Sequence, residues 1–321
     1  MIVKCVAYSK GRKLDDIDVE AISDILQQPD TFVWVGLREP DRPLLNKIQE
    51  EFGLHELAIE DTLSAQQRPK LEEYGDSLFL VLRTAQFRQY TLLLGETHIF
   101  VGPRFLVTVR HGATLGYGKV RERCENLPNK LGKGTGFALY AVIDFIVDNY
   151  MPAVDGLRLR LDKLEEDIFR RRCTAQTLEQ LYELKRELVN LRGAAAPIID
   201  ICNELMRYHD ELIAKEIRVY YRDVHDHTKR ILQAIDSMLE MLSTAMQVHL
   251  ALVTVGQNEI VKRLAGWGAI LGVPTMVFSL YGMNFHYMPE LEWRYSYPLM
   301  LSLVAFACTW LYRKLARAGW L

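Results

Sequence analysis

The sequence predicts an α+β protein: a cytosolic α/β domain over residues 1–136, a stalk of long helices over 137–262, and a transmembrane helical hairpin over 263–321. Three observations carry that prediction. Short β-branched and aromatic runs alternate with helical stretches up to about Arg110. Leucines then recur at three- and four-residue spacing. Finally, two charge-free apolar segments stand near the C-terminus, where strand-like and heptad-like patterns give way to membrane-like ones.

The N-terminal part alternates runs that read as strands, Ile2–Tyr8, Phe32–Leu37, Leu78–Arg83, Thr91–Leu94, Thr97–Val101 and Phe105–Val109, with a helix at Arg42–Phe52. Gly102-Pro103 marks a turn, and short connections of that kind predict a mostly antiparallel sheet. Gly132-Lys133-Gly134-Thr135-Gly136 lacks the Gly-Lys-Ser/Thr ending of a phosphate loop and is expected to be an ordinary loop. From about Phe137 the pattern is helical. Leu157, Leu161, Leu164 and Ile168, and then Leu181, Leu184, Leu188 and Leu191, form the seam of two helices packed side by side, with a turn expected around Arg170–Thr174. A third helical stretch is expected beyond Pro197, with breaks before Tyr220. A single helix from Val224 to Tyr281 would be on the order of 85 Å long and would need partner copies to cover it.

Two segments are expected to be the only ones able to cross a membrane. No Asp, Glu, Lys or Arg occurs from Leu264 through Pro289, and Tyr295–Tyr312 is charge-free between Arg294 and Arg313. Lys262 and Arg263 precede the first span, Arg313, Lys314 and Arg317 follow the second, and the short loop between carries Glu290 and Glu292. By the positive-inside rule both termini face the cytoplasm. The N-terminus has no signal-peptide pattern, so roughly the first 260 residues are expected in the cytosol.

Composition excludes other classes. A net charge of -2 with 25% charged residues argues against a nucleic-acid partner. The five cysteines are scattered and odd in number, which suits a reducing compartment and not a disulfide framework. No nucleophile with a matched base and no zinc framework appears, so the chain is not expected to be an enzyme.

Reading back from Asn284, Asn258, Val261, Ala265, Gly268, Gly272, Thr275 and Ser279 fall at helical spacing, and all are small or polar. Bulky residues such as Leu264, Trp267, Leu271, Met276 and Phe278 fill the intervening positions. Such a stripe either lets helix backbones approach closely or lines an aqueous path, and the polar Asn258 and Thr275 favour the path. Pro274 is compatible with a bend or a simple kink.

Between the spans stands Tyr281-Gly282-Met283-Asn284-Phe285, followed by Met288-Pro289-Glu290-Leu291 and, at the end, a basic tail with Gly319-Trp320-Leu321. Together with Asn258-Glu259, Pro274-Thr275, Arg222-Asp223-Val224 and, more weakly, Leu57–Arg68, this arrangement resembles the CorA family of magnesium and cobalt channels. The resemblance covers most of the chain. It implies a homopentameric funnel in the plasma (inner) membrane, in contact with lipid, whose first membrane helix lines the pore and which passes Mg2+ and also Co2+. It makes Gly282, Met283 and Asn284 the selectivity element, with Asn284 forming a ring at the external mouth and Glu290 adding negative potential there.

The chemistry of these residues fits that implication. Mg2+ gives up its waters reluctantly, so a site passing it quickly should hold the water shell, for which backbone carbonyls and the Asn284 carboxamide are suited. Gly282 is expected to turn the backbone, with a positive φ if the turn is tight. The resemblance further makes Asp61 and Asp223 a regulatory Mg2+ site between neighbouring subunits, with Glu60 and Asp148 candidates for a second one. Read from the residues alone, each of these carboxylates could equally be a helix cap or a solvated charge. His225 and His227 would suit Zn2+, Co2+ or Ni2+ better than Mg2+, but two apart on a helix they point to different faces. The rival readings are a Zn2+ or other transition-metal transporter of the same architecture, against which the retained Met283 argues, and a non-conducting membrane-anchored sensor or scaffold.

Overall fold

The computed structural model describes residues 1–65, 67–112, 115–170, 175–283 and 288–321, which divide into two compact units, Met1–Ser243 and Thr244–Leu321. The first unit is built on seven strands, β1 (Ile2–Ser9), β2 (Arg12–Asp16), β3 (Thr31–Arg38), β4 (Lys70–Tyr74), β5 (Ser77–Arg88), β6 (Thr91–Gly102) and β7 (Phe105–Gly112). They form one sheet in the order β2-β1-β3-β7-β6-β5-β4. Adjacent strands joined by short turns are antiparallel, as expected. The exception is the central β3–β7 pair, which is parallel because the chain between the two strands makes a long crossover.

Helix α1 (Ile22–Leu26) comes just before β3, and the crossover begins after β3 with α2 (Arg42–Phe52) and α3 (Glu56–Ser64). The α2 boundaries are chemically explicit. Asp41 accepts a hydrogen bond from the Leu44 N–H at 3.3 Å, Pro43 sits in the first turn, and Gly53 ends the helix at φ +62°. Leu45, Ile48 and Phe52 of α2, with Ala58 and Ile59 of α3, close over Val33, Val35, Val107 and Phe79 on one sheet face. Each such side chain contributes about 1.5–3 kcal/mol by leaving water.

The opposite face is covered by helices that follow β7: α4 (Gly118–Glu125), α5 (Pro128–Leu131), α6 (Thr135–Asp148), α7 (Tyr150–Phe169) and α8 (Ala175–Tyr208). The leucine seam falls where its spacing puts it: Leu157, Leu161 and Ile168 of α7 and Leu181, Leu184, Leu188 and Leu191 of α8 are buried. At Gly156 an added Cβ would stand 2.3 Å from the Phe87 ring, so only glycine lets α7 lie this close to β5. Of the expected turn between α7 and α8, Arg170 ends α7 and residues 171–174 lie outside the described residues.

Four expectations are corrected. Thr91–Leu94 and Thr97–Val101 are one strand, β6, because Gly95 and Glu96 stay in register opposite Gly112 and His111. Within the Gly132–Gly136 stretch, Thr135 and Gly136 already belong to α6. Pro197 does not begin a new helix: α8 runs through it, with Ala194, Ala195 and Ile198 all buried beside it, whereas the break between Tyr208 and Arg218 falls before Tyr220 as expected. The two C-terminal segments are not the only ones long and apolar enough to span a membrane. Residues 135–169 also qualify, but 61% of their apolar window is buried in the core of the first unit, against 6% for each of the other two.

Helix α9 (Arg218–Tyr281) begins in the first unit and ends in the second, which continues through a short 3-10 turn (Pro289–Glu292) to α10 (Ser296–Arg317). Inside the second unit, α9 and α10 meet through Trp267 and Tyr312, whose rings lie 6.4 Å apart, and through the Cys308 thiol, which lies 3.6 Å from the Ile270 carbonyl. Large apolar side chains around this pair, including Leu264, Met276, Leu303 and Phe306, are more than 60% exposed, a surface that water would not tolerate and hydrocarbon would.

Candidate functional site

From Gly266 to the end of α9, Gly266 is buried and Ile270, Gly272, Val273, Pro274, Val277 and Tyr281 are half-buried; of these, Gly266, Ile270, Val273, Val277 and Tyr281 share one side of the helix, the side turned to α10. Gly266 is the contact glycine: a Cβ there would meet Leu321 at 3.2 Å. The stripe Asn258, Val261, Ala265, Gly268, Gly272, Thr275 and Ser279 lies elsewhere, roughly 150° round the helix at about 100° per residue. Its members are exposed apart from the half-buried Gly272, and a Cβ built at Gly268 or Gly272 meets nothing within 4 Å. The small residues therefore do not serve to pack α9 on α10. Thr275 donates its hydroxyl hydrogen to the Leu271 carbonyl at 2.8 Å, which leaves its oxygen lone pairs on the open side.

At the end of α9, the Gly282 N–H donates to the Phe278 carbonyl at 2.9 Å and the Met283 N–H to the Leu280 carbonyl at 3.3 Å. Gly282 thus completes the last helical turn and is not among the positive-φ glycines, so the expectation of a left-handed turn there is corrected. A Cβ at Gly282 would stand 3.4 Å from the Phe278 oxygen, a tight but not forbidden contact. Met283 is half exposed. Asn284 lies outside the described residues, as does the side chain of Glu290, whose backbone belongs to the 3-10 turn.

The acidic candidates occupy two places in the first unit. Asp61 on α3 receives the Lys70 ammonium at 2.6 Å, and the same ammonium reaches Glu72 at 2.7 Å. Partial burial works against the Lys70 charge, but the hydrogen bonds to Asp61 and Glu72 prevail and hold its pKa above the usual range. Glu60, one residue back, is exposed.

Asp148, at the end of α6, lies with its Oδ1 3.5 Å from His227 Nδ1 on α9, and Asp223 stands one turn earlier on α9. Arg123 of α4 donates to Asp144, one turn before Asp148, at 2.8 Å. Desolvation, reinforced by Asp144 and opposed by His227, pushes the Asp148 carboxyl above the ordinary carboxylate range. So one chain gathers Asp148, Asp223 and His227 around the α6–α9 contact, whereas Asp61 is tied to β4. His225 turns to its neighbour Asp226 at 3.0 Å, which separates it from His227 as the helical spacing requires. Among the described residues, no three acidic, histidine or cysteine side chains are placed to hold a metal ion together.

Lys70, Glu72 and Asp144 were not among the residues the sequence singled out. The signal for the first two is the Tyr74-Gly75-Asp76-Ser77 turn, which marks Lys70–Tyr74 as the first arm of a hairpin with β5, facing α3.

Residues 29–317 match the family model described as CorA-like Mg2+ transporter protein. The chain is 30% identical over 304 residues to the cobalt/magnesium transport protein CorA of Thermotoga maritima, covering 91% of this chain and 84% of that one. Its fold superposes on the complete CorA magnesium transporter of Methanocaldococcus jannaschii with a TM-score of 0.80 at 22% identity, over 100% of both chains. The ZntB cytoplasmic domain of Vibrio parahaemolyticus matches 77% of this chain, and 95% of its own, with a TM-score of 0.62 at 14% identity, a likeness of fold alone.

Proposed function

The chain belongs to the CorA-like Mg2+ transporter family, a transporter and not an enzyme family, and on that premise we propose that it assembles as a homopentameric channel admitting Mg2+ and Co2+ across the plasma (inner) membrane. Each copy turns the Asn258–Ser279 stripe of α9 toward the shared axis and its bulky apolar side toward lipid. Gly282, Met283 and Asn284 stand at the outer mouth, where they hold the hydrated ion, and Glu290 raises the local cation concentration. Both termini face the cytoplasm. Intracellular Mg2+ bound between Asp61 of one copy and Asp223 of the next favours the closed state, with Glu60 and Asp148 contributing a second site.

The observation that carries this reading is the exposed, small-residue stripe set opposite the α10 contact. A helix packed into a lone hairpin has no use for two faces, one bulky and apolar and one narrow and polar. A pore-lining helix in a ring uses both. The test is uptake into liposomes containing the purified protein, with Mg2+, Co2+, Ni2+ and Zn2+ supplied separately. Saturable Mg2+ and Co2+ flux is expected. Flux dominated by Zn2+ would replace the substrate assignment with the transition-metal one, and no flux of any ion by assembled protein would leave a sensor or scaffold.

A further inference from the structure

A small cavity in the first unit, independent of the proposed ion path, is lined by two buried arginines. It lies between α4 and the sheet face formed by β1, β3 and β7, with a volume of about 110 Å³. Lys4, Gly36 and Thr108 line up across the three strands at its floor, because the sheet register pairs Lys4 with Gly36 and Gly36 with Thr108. The absence of a side chain at Gly36 opens the space: an added Cβ would stand 3.8 Å from Arg121 Nη2, the Lys4 carbonyl and Thr108 Oγ1 alike.

Two arginines line the same cavity and both are buried, Arg110 at 7% and Arg121 at 6% exposure. The Arg121 guanidinium carbon stands over the Trp34 ring, 4.9 Å from its centroid, and its Nη2 donates to the Trp34 carbonyl at 3.3 Å. Its Nη1 is buried with no hydrogen-bond partner among the described residues. The Trp34 Nε1 beneath it is likewise a buried donor without an acceptor. Arg110 donates to the Leu115 carbonyl at 3.1 Å and rests near the Tyr117 ring.

Burial lowers the pKa of both guanidiniums, more than the neighbouring tyrosine, cysteine and acidic groups restore it. The acidic groups at the cavity are Glu122 and Glu125. Glu125 accepts a hydrogen bond from the Tyr8 hydroxyl at 2.7 Å, and neither carboxylate forms an ion pair with Arg110 or Arg121 among the described residues. The first turn of α4 opens on the same space at Gly118, and Tyr117 at its N-cap supplies no side-chain acceptor. Glu125 and Asp16 oppose the effect of burial on Arg121 without cancelling it, Lys4 also reaches Asp16 at 3.7 Å, and Arg121 Nη1 and Trp34 Nε1 stay buried donors without an acceptor among the described residues. The cavity therefore has room for one more acceptor, and its three basic side chains against two carboxylates favour one that carries negative charge.

We propose that this cavity, walled by Arg121, Arg110, Lys4, Thr108 and the first turn of α4, binds a single inorganic oxyanion of the phosphate class. Size decides against a larger ligand, since pockets for nucleotides and other organic molecules span about 300–1,000 Å³. The anion sits on the Arg121 Nη1 side, where the guanidinium and the uncapped N–H groups of α4 converge.

The experiment is thermal unfolding of the full-length protein in detergent, free of divalent cations, with phosphate replacing chloride at constant ionic strength. A saturable rise in the unfolding midpoint is expected, on the order of 3–5 °C once phosphate exceeds its dissociation constant tenfold. Sulfate should reproduce it and adenosine monophosphate should not. Arg121→Gln should abolish the rise. Gly36→Ala, whose methyl finds only ordinary contacts, should keep the fold and raise the half-saturating phosphate concentration several-fold. A midpoint that responds to phosphate no more than to chloride would overturn the proposal, as would an undiminished response in Arg121→Gln or an unchanged half-saturation in Gly36→Ala. An equal response to adenosine monophosphate would overturn the assignment to a free inorganic anion.

Discussion

Replacing Lys70 by Met should make the proposed channel more sensitive to internal Mg2+. Lys70 holds Asp61 at 2.6 Å and Glu72 at 2.7 Å, with both members of the Asp61 pair only about 27–28% exposed. A cation approaching Asp61 must displace or share that ammonium. Partly exposed ion pairs are worth about 0.2–1 kcal/mol, and this one, more shielded than most and drawing on two carboxylates, belongs near the upper end. Dividing by RT of about 0.59 kcal/mol, the ammonium weakens Mg2+ binding at Asp61 by a factor of roughly 1.4–5. Met keeps an apolar side chain of similar length and removes the charge, including the ammonium that stands 5.7 Å from the Phe79 ring centroid. The assay is uptake into proteoliposomes as luminal Mg2+ is raised on the side the termini face. The half-inhibitory concentration should fall by about two- to fivefold in Lys70→Met, rise in Asp61→Asn, and in the double variant return to the Asp61→Asn value. An unchanged curve in Lys70→Met would mean that Asp61 takes no part in sensing Mg2+, whatever the pore does.

The remaining predictions concern the pore mouth, the membrane topology and the α6–α9 contact. Asn284→Ala should assemble normally and lose Mg2+ flux by at least about tenfold, the loss of one amide acceptor per copy being worth more than 1.4 kcal/mol where it faces an ion; normal flux would remove the main support for the filter. Gly282→Ala should also assemble and melt as the wild type does, because its helical φ admits alanine, so that a fall in flux reports the added methyl at the mouth and not backbone strain. A cysteine at position 290 should react with an impermeant thiol reagent outside intact cells while one near either terminus should not; labelling of the N-terminus would reverse the orientation. Asp148, with its carboxyl raised by burial, costs stability as pH rises from the ordinary value of 3.8 through its higher folded value. Asp148→Asn should therefore raise the unfolding midpoint at pH 7 without divalent cations, and the gain should fade below about pH 4; a gain that persists in acid would assign the effect to packing.

Legibility in the sequence followed the range of the forces involved. The α7–α8 seam was readable because Leu157–Ile168 and Leu181–Leu191 obey a local spacing that no distant contact contradicts. Strands β2 and β4 were not, because Arg12–Asp16 and Lys70–Tyr74 carry charge in place of alternating apolar residues. They are the two edges of the sheet, where charge discourages pairing with another chain. Pro197 misled because a local rule met tertiary packing strong enough to hold both halves of α8. The same division runs through the site. The stripe on α9 is a helical period and was visible, whereas Gly266, the glycine that touches the rest of the hairpin, differs from Gly268 and Gly272 only in what lies opposite it. The Asp61–Lys70 and Asp148–His227 contacts join residues 9 and 79 positions apart, and no pattern in the intervening sequence specifies them.

The proposed regulation at these carboxylates would need more than one copy, and the magnitudes show why. One Mg2+ site occupied at tenfold its dissociation constant, and absent from the open state, stabilises the closed state by about 1.4 kcal/mol. That changes an open-to-closed ratio about elevenfold. Moving a population from mostly open to mostly closed takes about 5.5 kcal/mol. Five equivalent sites in a ring supply roughly 7 kcal/mol, enough with a margin of one site. The Lys70 ammonium then acquires a role that a strong resident metal site would not need. By holding each Asp61 partly neutralised, it would keep the individual affinity low in the proposed ring, so that closure would depend on the sum over the copies. Asp148 works in the same sense: desolvation beside Asp144 and Asp223 disfavours its charge, and a divalent cation arriving there would relieve a repulsion already present. Sensitivity then follows from the number of weak sites more than from the strength of any one, and the inhibition curve should be steep in Mg2+ even though each site taken alone is shallow.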